Sequence, residues 1–535
     1  MKCALVLCLA ISAISLLAFA DDQHHHDAYD PSHLGKVNFP VSCESRVQGD
    51  FNQGVALLHS FWYEEARKQF AAVAKEDPKC SMAYWGVAMS YWHQLWDTPS
   101  EFDIEEAQQA LDEAVDHPAK TKRERALVAA ARSYFWRRAD ATPEERAQAY
   151  SQAMAKAHQQ FPKDTEITVF YALSLLAAAP AGETNLALRK QAGALLEPIF
   201  EANPQHPGAA HYLIHAYDTP ELAELGLPAA RAYAKVAPSA PHALHMPSHI
   251  FSRVGMWKES IASNLASIAA TRRSAAMHMG GADHQMHAMD FLQYAYLQSG
   301  QEQKAEELRQ DLNDVHTGDA EEMQYTKSTM AARDALELRE WDEAESVQVP
   351  AGMAPWLEAT VREARAEGAA RAGHLQEAQR EVARLKQLEA QLRSEHGEHS
   401  AFVVEIVAVE REKAEAWLKH EHGADREAIA EMTEAALTDA KTGGEGVRMP
   451  AYEELGDLLL ETGDAPEALK AYEHDLQLAP NRFDGLYGAA RAAKAAGQED
   501  LAEKYFSELL QVAGSSRRPE IAEAKEAVGA IRAGK

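Results

Sequence analysis

A 34-residue recurrence constrains this chain more than any other feature of its sequence. Gly463, Ala468 and Tyr472 reappear as Gly497, Ala502 and Phe506, each 34 positions later. The spacing of Gly456, Ala468, Tyr472 and Pro480 is repeated by Gly54, Ala66, Phe70 and Pro78 near the other end. Pro204 and Pro238 are again 34 apart, and Gly255 and Gly300 fall where turns between helices belong. Each anchor has a packing reason. Glycine sits where two helices approach closely, alanine at their crossing, an aromatic ring in the gap, and proline at the end of the second helix. A unit this short cannot bury its apolar face alone, so neighbours must stack. Alanine, glutamate, leucine, glutamine and arginine recur without alternating Val- or Thr-rich runs, which leaves no β-domain. The chain's 535 residues exceed what one globular core usually organises, and an extended array answers that.

The segment AYEELGDLLLETGDAPEALKAYEHDLQLAP, from Ala451 to Pro480, resembles a tetratricopeptide repeat throughout, and FNQGVALLHSFWYEEARKQFAAVAKEDP fits the same frame. The resemblance implies an all-α, right-handed superhelical solenoid of antiparallel helix pairs. It also implies that certain places on each first helix line a concave groove that binds ligand, with proteins or peptides as the expected partners. Between residues 98 and 196, and between 323 and 444, apolar periodicity predicts helices but the anchors are degenerate. The expected organisation is a signal at 1–20, a mobile histidine-containing leader at 21–45, one array at 46–315 and a second at 316–535.

The opening residues set the compartment. MKCALVLCLAISAISLLAFA carries one lysine, an apolar stretch and Ala18-Phe19-Ala20 before two aspartates, which reads as a cleavable secretory signal. A retained anchor needs about 20 apolar residues, more than this stretch has. Leu7 before Cys8 stands where a lipoprotein needs a small residue. A periplasmic or secreted protein is therefore expected, with no membrane insertion. Cys3 and Cys8 leave with the signal, so Cys43 and Cys80 remain to form a disulfide; metal-ligand thiolates are the alternative. The net charge of −29 repels nucleic acid and anionic membranes alike.

Chemistry concentrates between His206 and Asp290. At about 100° per residue, His211, His215 and Asp218 fall within a roughly 60° arc, and so do His242, His245 and His249. His287, Asp290 and Tyr294 repeat the idea on a third helix, with His284 a turn earlier. The register set by Pro204, Pro238 and Gly300 puts all three stripes on the first helices of successive repeats, at places that the resemblance implies face one groove. Such helices pack roughly 8–10 Å apart, so their imidazoles can converge on one ion. Asp218 or Asp290 supplies an oxygen ligand or orients a ring. Imidazole with carboxylate suits zinc or copper, then iron or nickel, rather than calcium or magnesium. Met246, Met277, Met279, Met286 and Met289 lie beside these histidines; as ligands they would favour copper, as core residues they only fill space. The plainer alternative is that the histidines hydrogen-bond neighbouring carboxylates on a solvated face.

A second groove feature is aromatic. Trp85 and Trp92 crowd YWGVAMSYWHQLW with Tyr84, Tyr91 and Trp96, while His59 and His93 stand 34 apart. Together with Tyr294 they form a candidate ligand-binding lining, or else cap packing. No HExxH, GxSxG, P-loop, GxGxxG, EF-hand or CxxCH motif occurs, which removes nucleotide and c-type haem readings among others. His396, His399, His420 and His422 lie in charged segments and read as surface. The leading expectation is a scaffold whose groove holds a transition metal, or a ligand through it. A metal-free protein-binding scaffold comes next. A metalloenzyme, with an open coordination position and Asp218 or Asp290 handling protons, is third.

Overall fold

A computed structural model describes residues 33–95, 98–136, 141–179, 186–279, 282–315, 320–394, 401–442 and 448–534. The signal at 1–20, the first part of the leader, Trp96, His396 and His399 lie outside the described residues. Among the described residues every regular element is a helix and there is no strand. Short turns join helices into antiparallel pairs: Gln48–His59 with Tyr63–Glu76, Pro207–Tyr217 with Ala223–Val236, and Ala451–Glu461 with Ala465–Leu478. No helix is long and apolar enough to cross a membrane. The fold is a tetratricopeptide-like helical array.

The anchors act as their residue types require. A Cβ at Gly456 would sit 2.7 Å from the Tyr472 ring, so the pair packs only because glycine is there. Gly255, at φ +67°, makes the left-handed turn between a first and second helix. Long helices fill the stretches without clear anchors; Leu375–Ser394 and Ala401–Glu421 run 20 and 21 residues, which breaks the 34-residue period without breaking the pairing. One continuous core runs from Leu34 to Phe251, and another packs the C-terminal repeats from Ala369 to Val528.

Part of the expected mobile leader is fixed. Residues 33–43 lie as a strap across the first repeats, with Leu34 and Phe39 buried. Lys36 N–H donates to the Gln205 carbonyl at 2.8 Å, and the Ser42 amide and hydroxyl donate to Glu124 at 2.5 and 2.6 Å. Two apolar residues five apart bury well without making any helical or strand period, which is why the segment reads as featureless. The Cys43–Cys80 disulfide ties the strap's end to the start of helix Ser81–Met89. Closing that loop contributes about 4 kcal/mol by chain entropy.

The two expected arrays interlock rather than follow one another freely. Trp257 Nε1–H donates to the Asn481 carbonyl at 2.7 Å, and Phe483 N–H to Gln298 Oε1 at 3.0 Å. Ser516 donates to Glu302. Arg482, fully buried, makes two bonds of 2.9 Å to Glu453, one of 3.0 Å to Glu337 and one of 2.8 Å to the Tyr294 hydroxyl. The C-terminal repeats thus close back onto the centre of the superhelix.

Candidate metal centre

Three successive first helices build the site, and prolines set where they start. Pro207 opens helix Pro207–Tyr217, where a missing N–H costs nothing, and the preceding His206 side chain accepts from the Ala209 amide. Pro241 opens Pro241–His245. Pro247 then interrupts the hydrogen-bond ladder, yet Met246 stays helical at φ −49°, ψ −36°. His242, His245 and His249 therefore remain on one stripe across the break. The third helix is Ala282–Gln298.

The stripes meet as two adjoining trios. In the first, His211 Nε2 lies 3.1 Å from His215 Nε2 and 3.1 Å from His242 Nε2. In the second, His245 Nε2 lies 2.9 Å from His249 Nε2, and the His287 ring is 4.5 Å from that of His245. Within each trio the ligand nitrogens all lie within 4.8 Å of one another. His284 lies beside His242, ring centres 5.2 Å apart and the planes tilted by 34°.

The outer nitrogens decide which way the lone pairs point. His211 Nδ1 is 2.6 Å from the His59 carbonyl, which can only accept, so Nδ1 carries the proton and Nε2 is bare. His245 Nδ1 donates to Asn264 Oδ1 at 2.7 Å, and Asn264's own NH2 is committed to the Ser260 carbonyl, which fixes the amide's orientation. His249 Nδ1 donates at 2.9 Å to Asp218, which also accepts from Arg253 Nε. His245 and His249 therefore face each other with bare lone pairs at 2.9 Å, a repulsive contact unless a cation or proton lies between. Imidazoles on a tetrahedral ion with bonds of about 2.0–2.1 Å stand about 3.4 Å apart, close to what is seen.

Burial opposes charge on four of the rings. His211 is wholly buried, and desolvation pushes its pKa down to about 3. Desolvation also puts His215, His242 and His245 well below the usual imidazole range, with neighbouring histidines adding to it. Burial opposes charge on Asp218, but Arg253 and His249 outweigh it and hold the carboxyl well below its ordinary value. Neutral imidazoles with one ionised carboxylate behind them form a donor set for a transition metal.

Other expected residues are placed differently. Asp290 pairs with Arg333 at 2.8 Å and lines a cavity of about 100 Å³ with Glu410, Lys413 and Arg448. Tyr294 is buried and held by Arg482, so it lines no groove. Trp85 and Trp92 are core: Trp85 packs on Phe39 and Phe170, Trp92 on Tyr134 and Tyr150. His93 stacks on Tyr63. His59 is buried, its Nε2 donating to Glu166 at 2.9 Å and its Nδ1 accepting from the Tyr212 hydroxyl. Glu166 also accepts from His206 Nε2; burial would raise its pKa, but the two histidines bring it down to about 2. This satisfied network fixes the His59 backbone whose carbonyl orients His211. The disulfide takes up the Cys43 and Cys80 thiols as ligands for anything else.

The histidine stripes are also more deeply buried than an open groove allows. Phe61 closes them from the first repeat, its ring 4.4 Å from His211 and 5.5 Å from His242. Phe291 does the same for the second trio, 4.5 Å from His249. Phe61 stands where the last repeats carry Gly463, and it adopts φ +54°, which costs a non-glycine residue about 1–2 kcal/mol. That departure from the repeat pattern, together with Asn264 and Glu166, was the signal not read from sequence.

Fold and site together define a tetratricopeptide-like helical array with a buried histidine cluster where three successive first helices meet. No protein-family model matches the sequence, and no curated protein does. Similar solved structures include an IFIT1 monomeric mutant with Gppp-AAAA, at 14% identity over 85% of this chain and 95% of that one, TM-score 0.36. The human IFIT1 dimer with PPP-AAAA is 13% identical over 81% and 90%, TM-score 0.37. A tetratricopeptide repeat protein from Parabacteroides merdae is 14% identical over 55% and 99%, TM-score 0.29. At such TM-scores these likenesses carry no argument about this chain's ligand.

Proposed function

We propose that this protein is an exported helical-repeat scaffold that holds a transition metal, copper or zinc, through His211, His215, His242, His245, His249 and His287. The single observation that carries the reading is the approach of the bare His245 and His249 Nε2 lone pairs to 2.9 Å, with their opposite nitrogens committed as donors. Asp218, Asn264 and the His59 carbonyl serve as orienting partners, a role that outer hydrogen-bond acceptors commonly play for metal-bound histidine. The Cys43–Cys80 bond is compatible with an oxidising compartment. The array's remaining surface suits protein or peptide partners, and its charge of −29 disfavours a polyanion.

Elemental analysis of the untagged protein from its native compartment tests this, repeated on the H215A/H249A double variant. Stoichiometric metal in the parent, lost from a double variant of unchanged helix content, is the expected result. Metal well below one equivalent in the parent removes the proposal.

A further inference from the structure

Resting on that metal-binding reading, we infer that the cluster takes two ions, one in each trio, and that both are cuprous. The case for two begins with duplication. His211-x3-His215 and His245-x3-His249 are separated by 34 residues, so the repeat has copied one ligand pair into the next first helix. Each pair is completed from the helix that follows, by His242 and by His287. Each trio also has its own orienting acceptors, the His59 carbonyl for one, Asn264 and Asp218 for the other.

The spacing keeps the trios apart yet adjacent. The nearest rings between them, His242 to His245 and His215 to His249, have centres 6.1 and 6.4 Å apart, about the 6.3 Å between His215 and His242 within one trio, so it is the ligand nitrogens and not the rings that divide the cluster. Inside each trio the nearest nitrogens approach to 2.9–3.1 Å, so each encloses its own point and the two do not share one.

Charge selects the ion. Imidazole is a neutral donor when it binds a metal, and the one carboxylate behind the trios, Asp218, already answers Arg253. Arg189 also stands at the site, donating to the His215 carbonyl at 2.5 Å. Two divalent ions would bring four positive charges into this buried space, and their mutual repulsion is roughly fourfold that of two monovalent ions at the same separation. Cuprous copper brings two charges and accepts imidazole nitrogen.

The test is anaerobic titration of the full chain with Cu(I), in competition with bicinchoninate, followed by elemental analysis and copper X-ray absorption. A parallel sample is offered equal copper and zinc. Two copper per chain, nitrogen-only first shells and a copper–copper scattering path are expected, with H215A and H287A each reduced to one. One ion in the parent overturns the pair and leaves metal binding standing. No ion overturns both. Two zinc ions retained from the mixture overturn the cuprous assignment. The absorption measurement needs only the parent chain, so a variant that loses helix content does not decide the outcome.

Discussion

Arg482→Met removes a cation that two buried carboxylates share where the C-terminal repeats close onto the centre. Methionine nearly matches the arginine stem in volume, so little cavity arises and the change is mainly electrostatic. Glu337 and Glu453 are each about 1% exposed, and both lose their guanidinium partner. Breaking a buried pair by removing one member costs about 3–5 kcal/mol. Part of that is relieved by protonation. Desolvation already raises the Glu453 pKa to about 7 with Arg482 present, and losing the arginine raises it further. A folded-state pKa above the unfolded one means the folded state holds more protons, so stability falls as pH rises from about 4.5. The penalty is therefore expected near 3 kcal/mol at pH 8 and about 1–2 kcal/mol less at pH 5.5.

Urea unfolding at both pH values measures it, read by tryptophan fluorescence and by far-ultraviolet circular dichroism. Repeat arrays need not unfold in one step, so the two probes are compared rather than averaged. Trp257 donates to the Asn481 carbonyl beside Arg482, so fluorescence should report opening before the bulk of the helix is lost. Adding E337Q and E453Q to the variant should recover most of the loss. A penalty below about 1 kcal/mol at pH 8, or one equal at both pH values, refutes the reasoning.

Two further outcomes follow from the same geometry. Asn264→Leu removes the acceptor that fixes His245 Nδ1 as a donor, and metal affinity in competition titration should fall about 10–100-fold with helix content unchanged; unchanged affinity counts against the tautomer argument. Glu410 is buried and pushed up to about 7, so its ionisation costs the folded state about 3 kcal/mol as pH rises from 4.5 past 7, and the stability of E410Q relative to the parent should climb over that range. Parallel pH profiles of the two proteins would contradict it.

What the sequence discloses and what it hides divide along the range of the interaction. The Gly456 and Tyr472 pairing lies within one helix pair and is readable from spacing, as are the His211 and His245 stripes, because helical geometry fixes directions within a turn or two. The Arg482 bond to Glu337 spans 145 residues and leaves no local pattern. Superhelix curvature accumulates from small rotations per repeat, so no local stretch shows that Asn481 comes to lie against Gly255, or that Phe61 covers His211. Asp290 shows the same limit. It shares the stripe spacing of the ligands, but the sequence does not show that Arg333, 43 residues on, pairs with it.

Three departures from the repeat gather at the histidine site. A repeat array is stabilised by doing the same thing in every unit, so a residue that works against that sameness needs another reason to be there. Phe61 replaces the turn glycine at a left-handed position and puts a ring over the first trio. Pro247 breaks the ladder between His245 and His249, yet the helical direction continues through it. Asn264 and Ser260 place a polar pair in a wholly buried position where an apolar residue would pack as well, and the asparagine's acceptor points at His245. Phe61 and Asn264 act on a ring nitrogen or its cover, and Pro247 stands between two of the ring-bearing residues. Their agreement on one location is independent of any count of histidines.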